Sequence, residues 1–130
     1  MRALLDTHVW IWYLTGSDRL GKACREVIED ETTELWLSAI SVWETHLLME
    51  KGRIKSTETP AESVRLMLHA LRIREAPVTF AIARRSRSVG LLHDDPADRF
   101  IAATAVEMKL TVLTEDERLL ECGELKCVRG

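Results

Sequence analysis

Short apolar runs separated by helix-length segments leave this chain few ways to fold. Leu4-Leu5, Leu35-Trp36-Leu37 and Thr111-Val112-Leu113 have no polar–apolar alternation, so each reads as a strand covered on both sides. Between them lie segments with helical spacing. Strands that alternate with helices indicate an α/β fold with a mostly parallel sheet between helical layers. An acid closes or follows each run: Asp6 directly, Asp116 shortly after Leu113, and Glu44 in the segment after Leu37. In open sheets of this kind, ligands bind beyond the carboxyl ends of the strands.

The elements can be placed along the chain. A first strand is predicted over residues 3–6, and Thr7 is expected to cap a helix through Leu14, ended by Gly16 and Ser17. A second helix, residues 20–30, puts Leu20, Ala23, Cys24, Val27 and Ile28 on one face. Strand 35–37 leads to a helix that Gly52 ends. Pro60 opens a helix to Arg72, residues 76–78 form a weak strand, and residues 80–89 form another helix. Pro96 begins a helix to Lys109, strand 111–113 follows, Asp116 opens a short helix 117–120, and residues 125–128 make a last, edge strand. No repeat or linker interrupts this order, so residues 1–130 read as a single domain.

Charge narrows the chemistry. The formal charge is −3, but leaving out Asp6, Glu44, Asp98 and Asp116 turns it to +1. Basic residues cluster at Lys51, Arg53 and Lys55, at Arg72 and Arg74, and at Arg84, Arg85 and Arg87. An acidic centre in basic surroundings suits an enzyme acting on a polyanion. The three cysteines form no Cys-x-x-Cys pair, and the N-terminus lacks a secretory pattern. A reducing cytoplasmic setting is expected, with no membrane partner.

Each acid has a structural rival to a metal-binding role. Asp6 could cap the following helix. Ser41-x-x-Glu44 matches a capping box, whereas a helix starting near Ser38 would carry Glu44 inside it, on an apolar face. Asp95 before Pro96 is a good N-cap, which leaves Asp98 in the first turn, above Ala102 and Ala105. Asp116 could cap residues 117–120. Like charges about 4 Å apart repel by about 4 kcal/mol at an effective dielectric of 20. Gathered acids therefore call for a cation, and all-oxygen donors favour Mg²⁺ or Mn²⁺. A metal-activated water attacking a phosphodiester is the expected chemistry. The scattered histidines lack His-Glu-x-x-His spacing, no Gly-rich phosphate loop is present, and the four tryptophans read as core or interface.

Taken together, Leu4-Leu5-Asp6-Thr7-His8, Ser38-x-x-Ser41-x-x-Glu44, His93-x-Asp95-Pro96-x-Asp98-Arg99 and Leu113-Thr114-x-Asp116 resemble the PIN-domain family of metal-dependent ribonucleases. Within that family the chain looks like the small VapC-type toxins of toxin–antitoxin pairs. The resemblance implies a three-layer α/β/α sandwich and an endoribonuclease with Mg²⁺ or Mn²⁺ in an acidic pocket. Asp6, Glu44 and Asp98 would be the main metal-binding residues, with Asp116 as a fourth acid. Thr114 would support them by hydrogen bonding, with Thr7 and Asp95 also auxiliary. Arg99 and the basic helices would supply phosphate contacts. It further implies an RNA substrate, a cognate antitoxin and a homodimer. Ala97 departs from the aromatic that many relatives carry there. A phosphoryl-accepting receiver-like domain is the alternative, though Asp6 stands alone at the first strand and residues 111–114 hold no lysine. A non-catalytic binding module with the PIN fold is the other.

Overall fold

The computed structural model describes residues 1–130. The elements run β1 (Arg2–Leu5), α1 (Thr7–Thr15), α2 (Lys22–Glu29), β2 (Glu34–Ser38), α3 (Ala39–Glu50) and α4 (Pro60–Ala70). They continue with β3 (Ile73–Ala76), α5 (Phe80–Arg85), α6 (Pro96–Met108), β4 (Thr111–Leu113), α7 (Glu117–Leu120) and β5 (Lys126–Val128). The sheet order is β3-β2-β1-β4-β5. Every adjacent pair is parallel, with Leu5 opposite both Leu37 and Leu113.

The period-two geometry of β1 divides the core into two layers. Ala3 and Leu5 pack with Val9, Trp10, Cys24, Ile28, Leu35 and Leu37 beneath α1 and α2. Leu4 and Val112 point the other way, against Ile101 and Ala105 of α6. A third cluster joins Ala102 to Val89, Leu91, Leu119 and Cys122. The result is the expected α/β/α sandwich. Its central strand is apolar from Ala3 to Leu5 because both of its faces are covered there. No helix is long and apolar enough to cross a membrane.

Several boundaries differ from the sequence expectation. Asp6, rather than Thr7, caps α1, and Gly16 ends it in a left-handed conformation at φ 66°. Thr7 is the first helical residue, and its hydroxyl donates to Ser41 Oγ at 2.8 Å. The capping box at Ser41 does not form. Ser38 is the N-cap, accepting from the Ile40 N–H at 3.1 Å, so Glu44 lies inside α3. The third strand sits upstream of the expected 76–78, because Pro77 has no N–H to continue the ladder beyond the Ser38–Ala76 pair. Helix α5 stops at Arg85, and residues 86–91 form a turn that buries Ser86, Val89 and Leu91 instead of more helix.

Candidate active site

The sheet reverses its direction of growth between β1 and β4, and the crevice at such a reversal is where open α/β sheets bind ligands. Asp6 follows β1 there, and Thr114 follows β4. The Asp6 N–H donates to the Leu113 carbonyl at 3.0 Å, closing the seam. Its carboxylate accepts from the Thr7 N–H at 2.8 Å and from the Thr114 hydroxyl at 2.8 Å. Only 5% of Asp6 is exposed. Burial raises its pKa to about 7, against the opposing Thr114 and Thr7 hydrogen bonds, and the charges of Asp98 and Glu44 push the same way as burial. That repulsion brings the first three predicted acids into one electrostatic unit. Glu44 is half-buried and takes part in it through charge alone.

Asp98 reaches the site from the first turn of α6. Asp95 caps that helix, accepting from the Asp98 N–H at 3.2 Å. Burial is the main cause that raises the Asp98 pKa. The His93 hydrogen bond opposes it, Asp95 and Asp116 add repulsion, and Arg118 relieves part of it. Asp116 caps α7 through the Arg118 N–H at 2.8 Å. Partial burial works to raise its pKa, but the hydrogen bonds and charge of Arg118 prevail, leaving it below the usual carboxylate range.

Two residues that sequence reasoning gave no role complete this picture. Arg118 extends a guanidinium nitrogen to Asp98 Oδ2 at 3.3 Å and to Asp116 Oδ2 at 3.1 Å. His93 Nε2 lies 3.0 Å from the same Asp98 oxygen. His93 was visible in the His-x-Asp-Pro motif, but nothing local marked Arg118 apart from its place two residues after an N-cap aspartate.

Arg99 is a correction. It is 7% exposed, and its guanidinium donates to the carbonyls of Ser86 (2.7 Å), Val89 (3.3 Å), Leu91 (3.2 Å) and His93 (2.9 Å). With four of its five N–H donors spent on the turn before α6, and with so little of it exposed, it is not placed to bind phosphate. It fixes the loop that carries His93 instead.

The donor set fits a hard divalent cation in chemistry: oxygen donors, two of them desolvated carboxyls that hold their protons too tightly for isolated aspartates. No three acid, histidine or cysteine side chains stand close enough to make a complete cage. Such a cation would therefore take one or two carboxylates directly and act on the others through water. Thiol chemistry is disfavoured, because burial raises Cys24 and Cys127 to about 11.

A parallel α/β sandwich with buried acids at its strand reversal defines a class of domain built to hold an anionic pocket open to solvent. The PIN domain family matches residues 3–125, and the chain belongs to that family. It is 36% identical over 117 residues to Ribonuclease VapC22 of Mycobacterium tuberculosis, covering 89% of this chain and 88% of that protein. Among solved structures, it matches Mycobacterium tuberculosis VapC20, a sarcin-ricin loop cleaving toxin, with TM-score 0.74 at 14% identity over 98% of this chain and 99% of the other. VapBC2 from Rickettsia felis, bound to a DNA fragment from its promoter, gives TM-score 0.73 at 14% identity, covering 99% and 98%. These two structures share the fold. Family membership sets the receiver-like alternative aside.

Proposed function

We propose that residues 1–130 act as one nuclease domain, a metal-dependent endoribonuclease serving as the toxin of a toxin–antitoxin pair. One observation carries the reading most strongly: Asp6 and Asp98, 92 residues apart in the chain, are buried together with raised pKa values at the strand reversal. Kinship to a ribonuclease across 89% of the chain supports the same substrate class.

Asp6, Glu44, Asp98 and Asp116 would hold Mg²⁺ or Mn²⁺. When bound, such a cation supplies a water of lowered pKa and stabilises charge on the phosphodiester under attack. The chain's own residues prepare the place. Thr114 and the Thr7 N–H orient Asp6, leaving its carboxylate in one rotamer. Asp95 fixes the first turn of α6 and so the reach of Asp98. His93 Nε2, at 3.0 Å from Asp98, helps to hold that carboxyl in place.

Solved relatives that are toxin–antitoxin complexes support a protein inhibitor for this chain. The exposed Phe80 and Leu92 support a homodimer that would cover them. Three unpaired cysteines suit a reducing cytoplasm. The test is cleavage of single-stranded RNA with Mn²⁺ or Mg²⁺ and with EDTA. Asp98→Asn and Glu44→Gln should each lower cleavage by about 100-fold or more while keeping the wild-type circular dichroism spectrum. Cleavage in EDTA, or full activity in both variants, rejects the assignment.

A further inference from the structure

Next to the acids, a cavity of about 240 Å³ opens between α1 and the β4–α7 corner, lined by Asp6, His8, Trp12, Arg19, Glu115 and Asp116. Its far wall has no part in the proposed chemistry. We propose that this cavity is a nucleotide subsite, in which a base of single-stranded RNA stacks on Trp12 and His8 while Arg19 holds the neighbouring phosphate. The proposal rests on the nuclease reading and specifies where the strand lies beside the acids.

Helical geometry aligns these groups. Asp6 caps α1, and His8 and Trp12 are four residues apart, so their side chains share one face of the helix. With a rise of 1.5 Å per residue, Trp12 stands about 9 Å along the axis from Asp6. The core takes Val9, Trp10 and Ile11, while Trp12 is only half-buried and His8 is exposed. Their rings lie 5.6 Å apart at 48°, forming an open aromatic corner rather than a closed stack.

Asp6, Glu115 and Asp116 line the cavity as well, but its far wall of His8, Trp12 and Arg19 suits a nucleotide better than a simple cation. The Arg19 guanidinium carbon lies 6.0 Å from the Trp12 ring centre, and Arg19 makes no salt bridge. Glu115 forms no ion pair with it; its two oxygens accept from the Gly21 N–H at 2.8 Å and the Gly130 N–H at 3.1 Å. The cavity thus offers a cation with no carboxylate partner, lying over the Trp12 ring, at the edge of an acidic pocket. A neutral base with an anionic phosphate matches that pattern: base–aromatic stacking needs no base charge, and arginine serves both phosphate and ring.

The experiment uses the Asp98→Asn protein, which should bind without cutting. Fluorescence anisotropy compares oligoadenylate with a strand of equal length carrying abasic sites, which keeps the phosphates and removes the rings. The oligoadenylate should bind about tenfold more tightly, and Trp12→Leu should erase that difference. Arg19→Gln should weaken both strands alike and reduce the slope of log affinity against log salt by about 0.7. Equal affinity for the two strands on otherwise unchanged protein overturns the subsite, whatever Trp12→Leu does to folding. A stacking preference that survives Trp12→Leu in folded protein also overturns it. If the wild type cleaves RNA yet shows no such preference, only the subsite fails. If it cleaves no RNA, the nuclease reading fails separately.

Discussion

Removing the charge of Asp6 should change how stability depends on pH, and the structure sets the size of the effect. In metal-free protein, the Asp6 carboxyl moves from 3.8 to about 7 on folding, chiefly through burial. A raised folded-state value means the native chain binds more protons than the unfolded chain between those limits. Stability is then fully present below about pH 4 and is lost as pH rises through 7. Each unit in that window costs about 1.4 kcal/mol, so about 2 to 3 kcal/mol should disappear between pH 5 and pH 8. Asp98, shifted in the same direction, adds to the loss. Asp116 is shifted down, so its contribution changes only at more acidic pH. Asp6→Asn retains acceptors and donors for Thr7 and Thr114 and should flatten most of the slope. The assay is urea denaturation in EDTA at intervals from pH 5 to 8, for wild type and variant. Excess Mg²⁺ at pH 8 should return much of the wild-type loss, since it binds the folded site. Wild-type stability that stays level or rises with pH, in parallel with Asp6→Asn, would refute a desolvated carboxyl at the strand reversal.

Two further perturbations test other parts of the site. Arg118 spans Asp98 and Asp116 with a half-exposed side chain, so each ion pair is worth at most about 1 kcal/mol. Arg118→Ala should therefore tighten Mn²⁺ binding severalfold by calorimetry or electron paramagnetic resonance; unchanged or weaker binding removes the idea that the guanidinium competes with the cation. Arg99→Lys should cost about 2 to 4 kcal/mol in urea titrations, because an ammonium cannot reach the four carbonyls that the planar fork satisfies.

What was legible in the sequence depended on how locally each feature is determined. Strands β1 and β4 read clearly because burial on both faces demands unbroken apolar runs. Strand β3 was misplaced because it is an edge: Arg74 and Glu75 are exposed, leaving only Ala76 fully buried. The expected helix ran on to Val89, yet Val89 and Leu91 are buried from a turn whose carbonyls are satisfied by Arg99. Nothing local distinguishes that guanidinium from one in solvent. Asp6 was expected at the end of β1 and Asp98 in the first turn of the helix that Asp95 caps, and each lies there because its own neighbours define that element. Arg118 was missed because its meaning comes from Asp98, twenty residues away in the chain.

The order β3-β2-β1-β4-β5 also has a consequence for how the molecule is made. The first strand to leave a ribosome is the middle one, and it stays half-paired until β4 is present. The Thr114 hydroxyl that fixes Asp6 lies 108 residues downstream of it. Long-range parallel pairing of this kind is slow to form. Nascent chains ending before β4 have no seam at Asp6 and no Thr114 to orient its carboxylate. The orientation of the Asp6 carboxylate is thus completed only once β4 and Thr114 have been synthesised.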